Sequence, residues 1–129
     1  LDRACANAKT LAEFCDGHTK INHPYYPGLP DHPQHNRANQ LFANFGAIFS
    51  IDLTDEINCF DFLNNMDIVI ASSNLGDTRT LAIPVAHTIY YEMGTERRAS
   101  MGIDDSMIRF SVGVEDIEDL LEDFQKALN

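Results

Sequence analysis

The sequence predicts an α+β domain, a mainly antiparallel sheet with helices packed on one face. Three observations predict it. Strand-like and helix-like runs are mixed along the 129 residues without a strict βαβ rhythm. Apolar residues make up 44% of the chain, with eight Phe and four Tyr, enough to close one core at a length suited to one domain. The last segment carries one clean helical stripe: Ile117, Leu120, Leu121, Phe124 and Leu128.

The elements follow in order. Residues 1–15 read as helix, because Ala4, Ala8, Leu11, Ala12 and Cys15 recur at helical spacing, and Gly17 ends the pattern. Residues 21–26 read as a short strand closed by Tyr26-Pro27-Gly28-Leu29, whose central Pro-Gly predicts a type II turn. Asp31 is placed to cap a helix from about His32 to Asn44, with Pro33 in its first turn. Gly46 opens a strand over 47–53, where Phe49, Ile51 and Leu53 alternate with Ser50 and Asp52. Thr54, Asp55 and Glu56 suit a capped helix start leading through Phe60 and Phe62 to about Asn65. Residues 67–71 form a compact β-rich run, followed by the polar loop 72–77 and a further strand over 80–84. Residues 92–101 read as a helix stopped at Gly102, residues 107–112 as a strand, and 116–128 as the final helix. Glu115, Asp116, Glu118 and Asp119 crowd the positive end of that helix, and Lys126 sits in its last turn. Its acids read as a solvated face.

Charge excludes whole classes of function. Nine bases against twenty acids leave a formal net charge of −11. Residues 104–129 hold eight of the acids and two of the bases, so over half of the excess lies in the terminal segment. Binding to nucleic acid needs a basic face that these scattered bases do not supply, and anionic membrane surfaces are disfavoured for the same reason. No run approaches a membrane-spanning length, and the start LDRACANAKT has no signal-peptide core. Cys5, Cys15 and Cys59 are odd in number and widely spaced, which fits reduced thiols in a cytoplasmic protein. The chain opens on Leu1, already inside a helical pattern, which suggests a piece of something longer.

Few residues stand out chemically. In Met107–Val112, Ile108, Phe110 and Val112 point one way, and Arg109 and Ser111 the other. A guanidinium on a rigid strand offers two parallel donors to a carboxylate, the plain alternative being a solvent-facing strand Arg. The loop Asn74-Leu75-Gly76-Asp77 follows a buried strand; Asn donates to carboxylates and Gly permits close backbone approach. Its plain alternative is an ordinary turn. His23, His32 and His35 complete no known metal spacing, so no metal site is expected. His87 reads as a packed, hydrogen-bonded side chain, and Arg97-Arg98-Ala99-Ser100 as two exposed arginines on a helix despite its likeness to a kinase motif. Nothing in the chain alone makes a complete active site.

Taken together, three runs carry a resemblance. They are Tyr26-Pro27-Gly28-Leu29 with His32-Pro33-Gln34-His35 and Phe45-Gly46; Asn74 through Leu81; and Gly102-Ile103-Asp104-Asp105 with Ile108 through Asp116. In order and spacing they resemble the C-terminal domain of the Cys/Met-metabolism enzymes that use pyridoxal 5′-phosphate (PLP), a trans-sulfuration family that includes cystathionine γ-synthases, cystathionine lyases, methionine γ-lyases and O-acetylhomoserine sulfhydrylases. The resemblance implies the small domain, residues 1–129, of a fold-type I PLP enzyme, with the PLP-binding domain outside this chain. It implies γ-replacement or β/γ-elimination on a sulfur amino acid or O-acylhomoserine. It places the α-carboxylate on Arg109 and Asn74, with backbone contacts from Leu75. Asn74 stands where Ser is frequent, and Asn occurs there in sulfhydrylase-like members, which tilts the reading toward γ-replacement.

The chain departs from the family in one run. Ile83-Pro84-Val85-Ala86-His87-Thr88 replaces a His-Pro-Ala-Ser-x-Thr-His pattern, so no role is carried to His87 or Thr88. The family's Schiff-base lysine has no counterpart, because Lys9, Lys20 and Lys126 all lie outside a Ser-x-x-Lys context. The chain alone is therefore expected to be inactive and to bind no PLP. Its implied partners are its own PLP domain, the other subunits of a homotetramer and a small amino acid. An apolar patch is expected where the PLP domain packs, including part of helix 1–15. The rival reading is a non-catalytic acidic α+β binding or oligomerisation module that shares the fold without the chemistry. The coding sequence upstream of Leu1 discriminates the two.

Overall fold

The computed structural model describes residues 1–88, 90–103 and 105–129. The α-helices are α1 (Asp2–Cys15), α2 (His35–Leu41), α3 (Cys59–Asn64), α4 (Thr95–Ser100) and α5 (Ile117–Leu128). The strands are β1 (Ile21–Tyr25), β2 (Ile48–Leu53), β3 (Ile70–Ala71), β4 (Leu81–Pro84) and β5 (Met107–Ser111). They form one sheet in the order β1-β2-β5-β4-β3. Three of its pairings are antiparallel, and β3 runs parallel to β4. This is the mainly antiparallel α+β sheet that the sequence predicts.

Register sorts the side chains between two faces. Phe49 pairs with Phe110 and Phe110 with Ala82, while Ile51 pairs with Ile108. These residues face α1, α3 and α5 and are almost fully buried. Phe110 stacks on Phe49 at a centroid distance of 4.9 Å and meets Phe124 of α5 at the same distance. Phe62 of α3 meets Phe124 edge-on at 6.1 Å. Leu120, Phe124 and Leu128 of the predicted stripe are fully buried, each contributing about 1.5–3 kcal/mol by removal from water. Helix α1 lays Ala8, Leu11, Ala12 and Cys15 on the same core, so its apolar face is already covered within this chain. Tyr26 packs beneath Phe45 and donates to the Gly46 carbonyl at 2.9 Å; burial, with smaller contributions from Cys5 and Glu13, pushes its hydroxyl up to about 12.

Several local expectations are corrected. Gly28 is not left-handed, so Pro27-Gly28 forms no type II turn. Its glycine instead lets Tyr26 lie close, since a Cβ there would fall 2.4 Å from the Tyr26 ring. The helix expected from His32 begins only at His35, with Gln34 and not Asp31 at the N-cap position and no side-chain cap. Pro27, Pro30 and Pro33 remove an amide donor every third residue, so the chain makes successive turns there, Leu29 N to Tyr26 O and His32 N to Leu29 O. His32 therefore lies outside the helix that carries His35. Thr54 does not cap α3, because that helix begins only at Cys59; the Thr54 N–H donates to the Lys20 carbonyl. Asn58 caps the helix, accepting from the N–H groups of Phe60 and Asp61. The helix expected over 92–101 is split at Gly94, at φ +81°, into a 3-10 turn (Tyr91–Met93) and α4.

The most informative correction concerns β3. The expected strand 67–71 contracts to Ile70-Ala71 because the N–H groups of Asp67, Ile68 and Val69 are taken by one carboxylate. Asp123 of α5 accepts from them at 2.7, 3.0 and 3.1 Å. Asp123 is only 4% exposed, so not every acid of α5 lies on a solvated face. Lys126, one turn on, pairs with Asp67. No helix among the described residues is long and apolar enough to cross a membrane.

Candidate functional site

The sheet face away from the helices carries a row in which Tyr25, Ser50, Arg109 and Ile83 stand side by side. Arg109 is at its middle, on the central strand, and is half-buried. Central strands are held on both sides, so the guanidinium starts from a rigid base. The loop 72–77 folds over this face. Arg109 Nη2 donates to the Ser73 carbonyl at 3.0 Å. The Gly76 N–H, at φ +75°, donates to Ser111 Oγ at 3.0 Å. Asn74 and Leu75 therefore sit between two anchors, both on β5 and both spaced by the same strand period as Arg109 and Ser111. Both residues are exposed, Leu75 to 52%. The Arg79 side chain and N–H hold the Asp77 carboxyl down to about 2, and this pairing compensates its charge at the loop end.

Beside Arg109 an open groove of about 520 Å³ runs along the β3–β4 edge, lined by Ser72, Ser73, Ile83, Pro84 and Thr88 among others. Its described lining carries no charged side chain. The arrangement sets the Arg109 guanidinium and the loop that carries Asn74 beside an uncharged trough.

A knot at the end of β5 fixes this geometry. Glu115 accepts from Thr80 N at 2.7 Å and from Thr80 Oγ1 at 2.8 Å. Thr80 Oγ1 in turn accepts from Gly113 N at 3.0 Å. Asn7 of α1 donates to the carbonyls of Gly113 and Glu115. A Cβ on Gly113 would fall 2.2 Å from the Thr78 carbonyl oxygen. Gly113→Ala is therefore expected to push loop 78–80 off β5 and to cost about 1–3 kcal/mol, read as a lower urea midpoint. An unchanged midpoint would show that the loop shifts freely. Within the run Ser111 through Asp116, Ser111 thus holds Gly76, and Gly113, Val114 and Glu115 hold Thr78 and Thr80 just beyond the loop that carries Asn74. Asp104, quoted in the same signature, lies outside the described residues.

Other candidates are resolved plainly. The His87 ring packs at 5.0 Å from Phe60, and its Nε2 meets the Asp105 carbonyl at 2.9 Å, as expected for a packed histidine. Among the described residues no group of three or more His, Cys, Asp or Glu is placed to hold a metal ion. Cys5, Cys15 and Cys59 are free and buried, and burial pushes the thiols of Cys15 and Cys59 up. One expectation fails: Arg98 is not exposed on α4 but buried, at 5% exposure, and only Arg97 faces out. Nothing local marks this, because α4 carries no hydrophobic stripe to orient it.

Lys9 lies on α1, Lys20 donates to the Leu128 carbonyl at 2.7 Å, and Lys126 is paired with Asp67, so all three belong to the helix layer, opposite Arg109.

The architecture is that of fold-type I PLP enzymes. It superposes on a cystathionine γ-lyase from Lactobacillus plantarum, solved with L-serine, with a TM-score of 0.93 at 30% identity over 98% of this chain and 33% of that one. A cystathionine γ-synthase from Xanthomonas oryzae, solved with cystathionine, gives 0.92 at 35% identity over 99% and 33%. The chain belongs to the Cys/Met metabolism PLP-dependent enzyme family, which matches residues 1–129. A cystathionine β-lyase of Lactococcus lactis is 40% identical over 123 residues, covering 95% of this chain and 32% of that protein. An O-succinylhomoserine sulfhydrylase of Mycobacterium tuberculosis is 36% identical over 129 residues, covering 96% and 32%. The chain thus spans about a third of the length of the relatives it matches.

Proposed function

We propose that residues 1–129 are the C-terminal, substrate-carboxylate-binding domain of a PLP-dependent trans-sulfuration enzyme. The observation that carries this reading is the placement of Arg109. It stands on the central strand, bonded to the loop that presents Asn74 and Leu75. The Arg109 fork donates to the two oxygens of an α-carboxylate, the Asn74 amide adds a donor, and Leu75 contributes backbone contacts. Together they orient an amino acid without moving a proton, leaving the rest of the substrate along the uncharged groove. PLP supplies the electron sink in this family. Its lysine, phosphate cup and pyridine partner belong to a PLP-binding domain outside this chain, and the whole enzyme is a cytoplasmic homotetramer.

The substrate is a sulfur amino acid or an O-acylhomoserine, converted by γ-replacement or β/γ-elimination. Asn74 favours replacement. The test is a panel assay of the full-length protein with PLP: cystathionine, methionine, and O-acetyl- or O-succinylhomoserine with a thiol. Turnover of at least one is expected; turnover of none, with PLP bound, overturns the reading. The 1–129 chain incubated with PLP and borohydride is expected to trap no stoichiometric lysine adduct. Stoichiometric trapping would mean that one of its three lysines holds the cofactor after all.

A further inference from the structure

We infer that Arg98 is a positioning residue, which from α4 holds the Pro84 and Thr88 wall of the groove beside Arg109. The inference rests on the proposed carboxylate site and extends it to the part of the substrate beyond the carboxylate.

The chain leaves the sheet at Pro84 and returns at Met107. Pro84 and Thr88, at the start of this excursion, line the groove next to Ile83, which pairs with Arg109. Thr88 Oγ1 donates to the Pro84 carbonyl at 2.9 Å and closes the first turn. That turn is held from two sides, and both lead to Arg98. On one side Tyr90 N donates to the Val85 carbonyl at 3.0 Å and Tyr91 N to the Thr88 carbonyl at 3.3 Å. The carbonyls of Tyr90 and Tyr91 then accept from Arg98 Nη1 at 3.1 and 2.9 Å. On the other side the Asp105 carbonyl meets His87 Nε2, and the Asp105 carboxylate accepts from Arg98 Nη2 at 3.4 Å. Thr95 Oγ1 accepts from the same nitrogen at 3.3 Å.

A buried cation is costly unless its donors are satisfied; these four acceptors hold both Nη atoms of Arg98, while its buried Nε is left without one. The planar fork matters, because four acceptors on three chain segments exceed the three donors of a flexible ammonium. Arg98 touches no groove atom itself. It acts through Tyr90, Tyr91 and Asp105.

The test uses the full-length holoenzyme and two ligands. One is the turned-over amino acid, whose side chain lies along the groove. The other is glycine as a competitive inhibitor, which engages the carboxylate site and has no side chain. Arg98→Met is expected to raise substrate KM about tenfold, with kcat within about threefold and the glycine Ki within about twofold. Arg98→Lys should recover part of the loss, and Thr95→Ala should raise KM by about two- to threefold. If Arg98→Met does not fold, Arg98→Lys and Thr95→Ala carry the test. An unchanged KM, or KM and glycine Ki rising together, overturns the inference, because a general loss of structure moves both. Failure of the carboxylate site itself is separable: Arg109→Ala would then leave the glycine Ki unchanged.

Discussion

Arg109→Ala in the full-length enzyme is expected to raise KM for the amino-acid substrate by about a hundredfold or more. A charge-assisted, two-pronged contact to a carboxylate is worth roughly 3 kcal/mol when one partner is removed. The contact binds ground state and transition state alike, so KM carries more of the loss than kcat. Arg109→Lys keeps the charge but loses the parallel donors, and should fall between. Asn74→Ala removes one donor and should cost about tenfold. Decarboxylated analogues of the substrate should bind the wild type and Arg109→Ala equally weakly. An unchanged kcat/KM in Arg109→Ala would sink the assignment of the site.

Asp123→Ala is expected to destabilise the domain strongly, by about 3 kcal/mol or more by urea denaturation. It strips the acceptor from three backbone N–H groups, those of Asp67, Ile68 and Val69, one of them fully inside. Each unsatisfied buried donor costs about 1–3 kcal/mol, partly relieved where water enters. Asp123→Asn keeps one carbonyl oxygen and should lose about half as much. Glu122→Ala, on the exposed side of the same helix, should stay within about 0.5 kcal/mol. Equal effects of Asp123→Ala and Glu122→Ala would refute the role assigned to the carboxylate. Because segment 67–69 leads into β3 and then loop 72–77, Asp123→Ala should also raise substrate KM modestly.

Periodicity made most of the fold legible. The Ala and Leu spacing of α1 and the stripe of α5 satisfy the helical repeat over several turns, and 48–53 and 107–111 satisfy the strand repeat. Both repeats record which face meets the core, and core burial dominates where an element lies. Some of the errors fall where a polar partner is distant in sequence. Asp123 and the amides it accepts from lie 54 to 56 residues apart. Glu115 and Thr80 lie 35 apart. Asn58, and not Thr54, caps α3, because the helix begins only at Cys59. For Asp123 and Glu115 the sequence holds both partners and nothing local pairs them.

The candidate site divides the same way. By alternation alone, Arg109 and Ser111 point away from Ile108 and Phe110, and the ordered motifs were enough to place the chain in its family. Membership in the family and the choice of Arg109, Asn74 and Leu75 were thus available from the sequence. The meeting of Arg109 with Ser73, the anchoring of Gly76 on Ser111 and the burial of Arg98 were decided only by the tertiary structure. The physical reason is range. Hydrophobic repeats are local and additive along the chain. A buried hydrogen bond or ion pair depends on where two segments meet in space, and that is set by the sheet order β1-β2-β5-β4-β3.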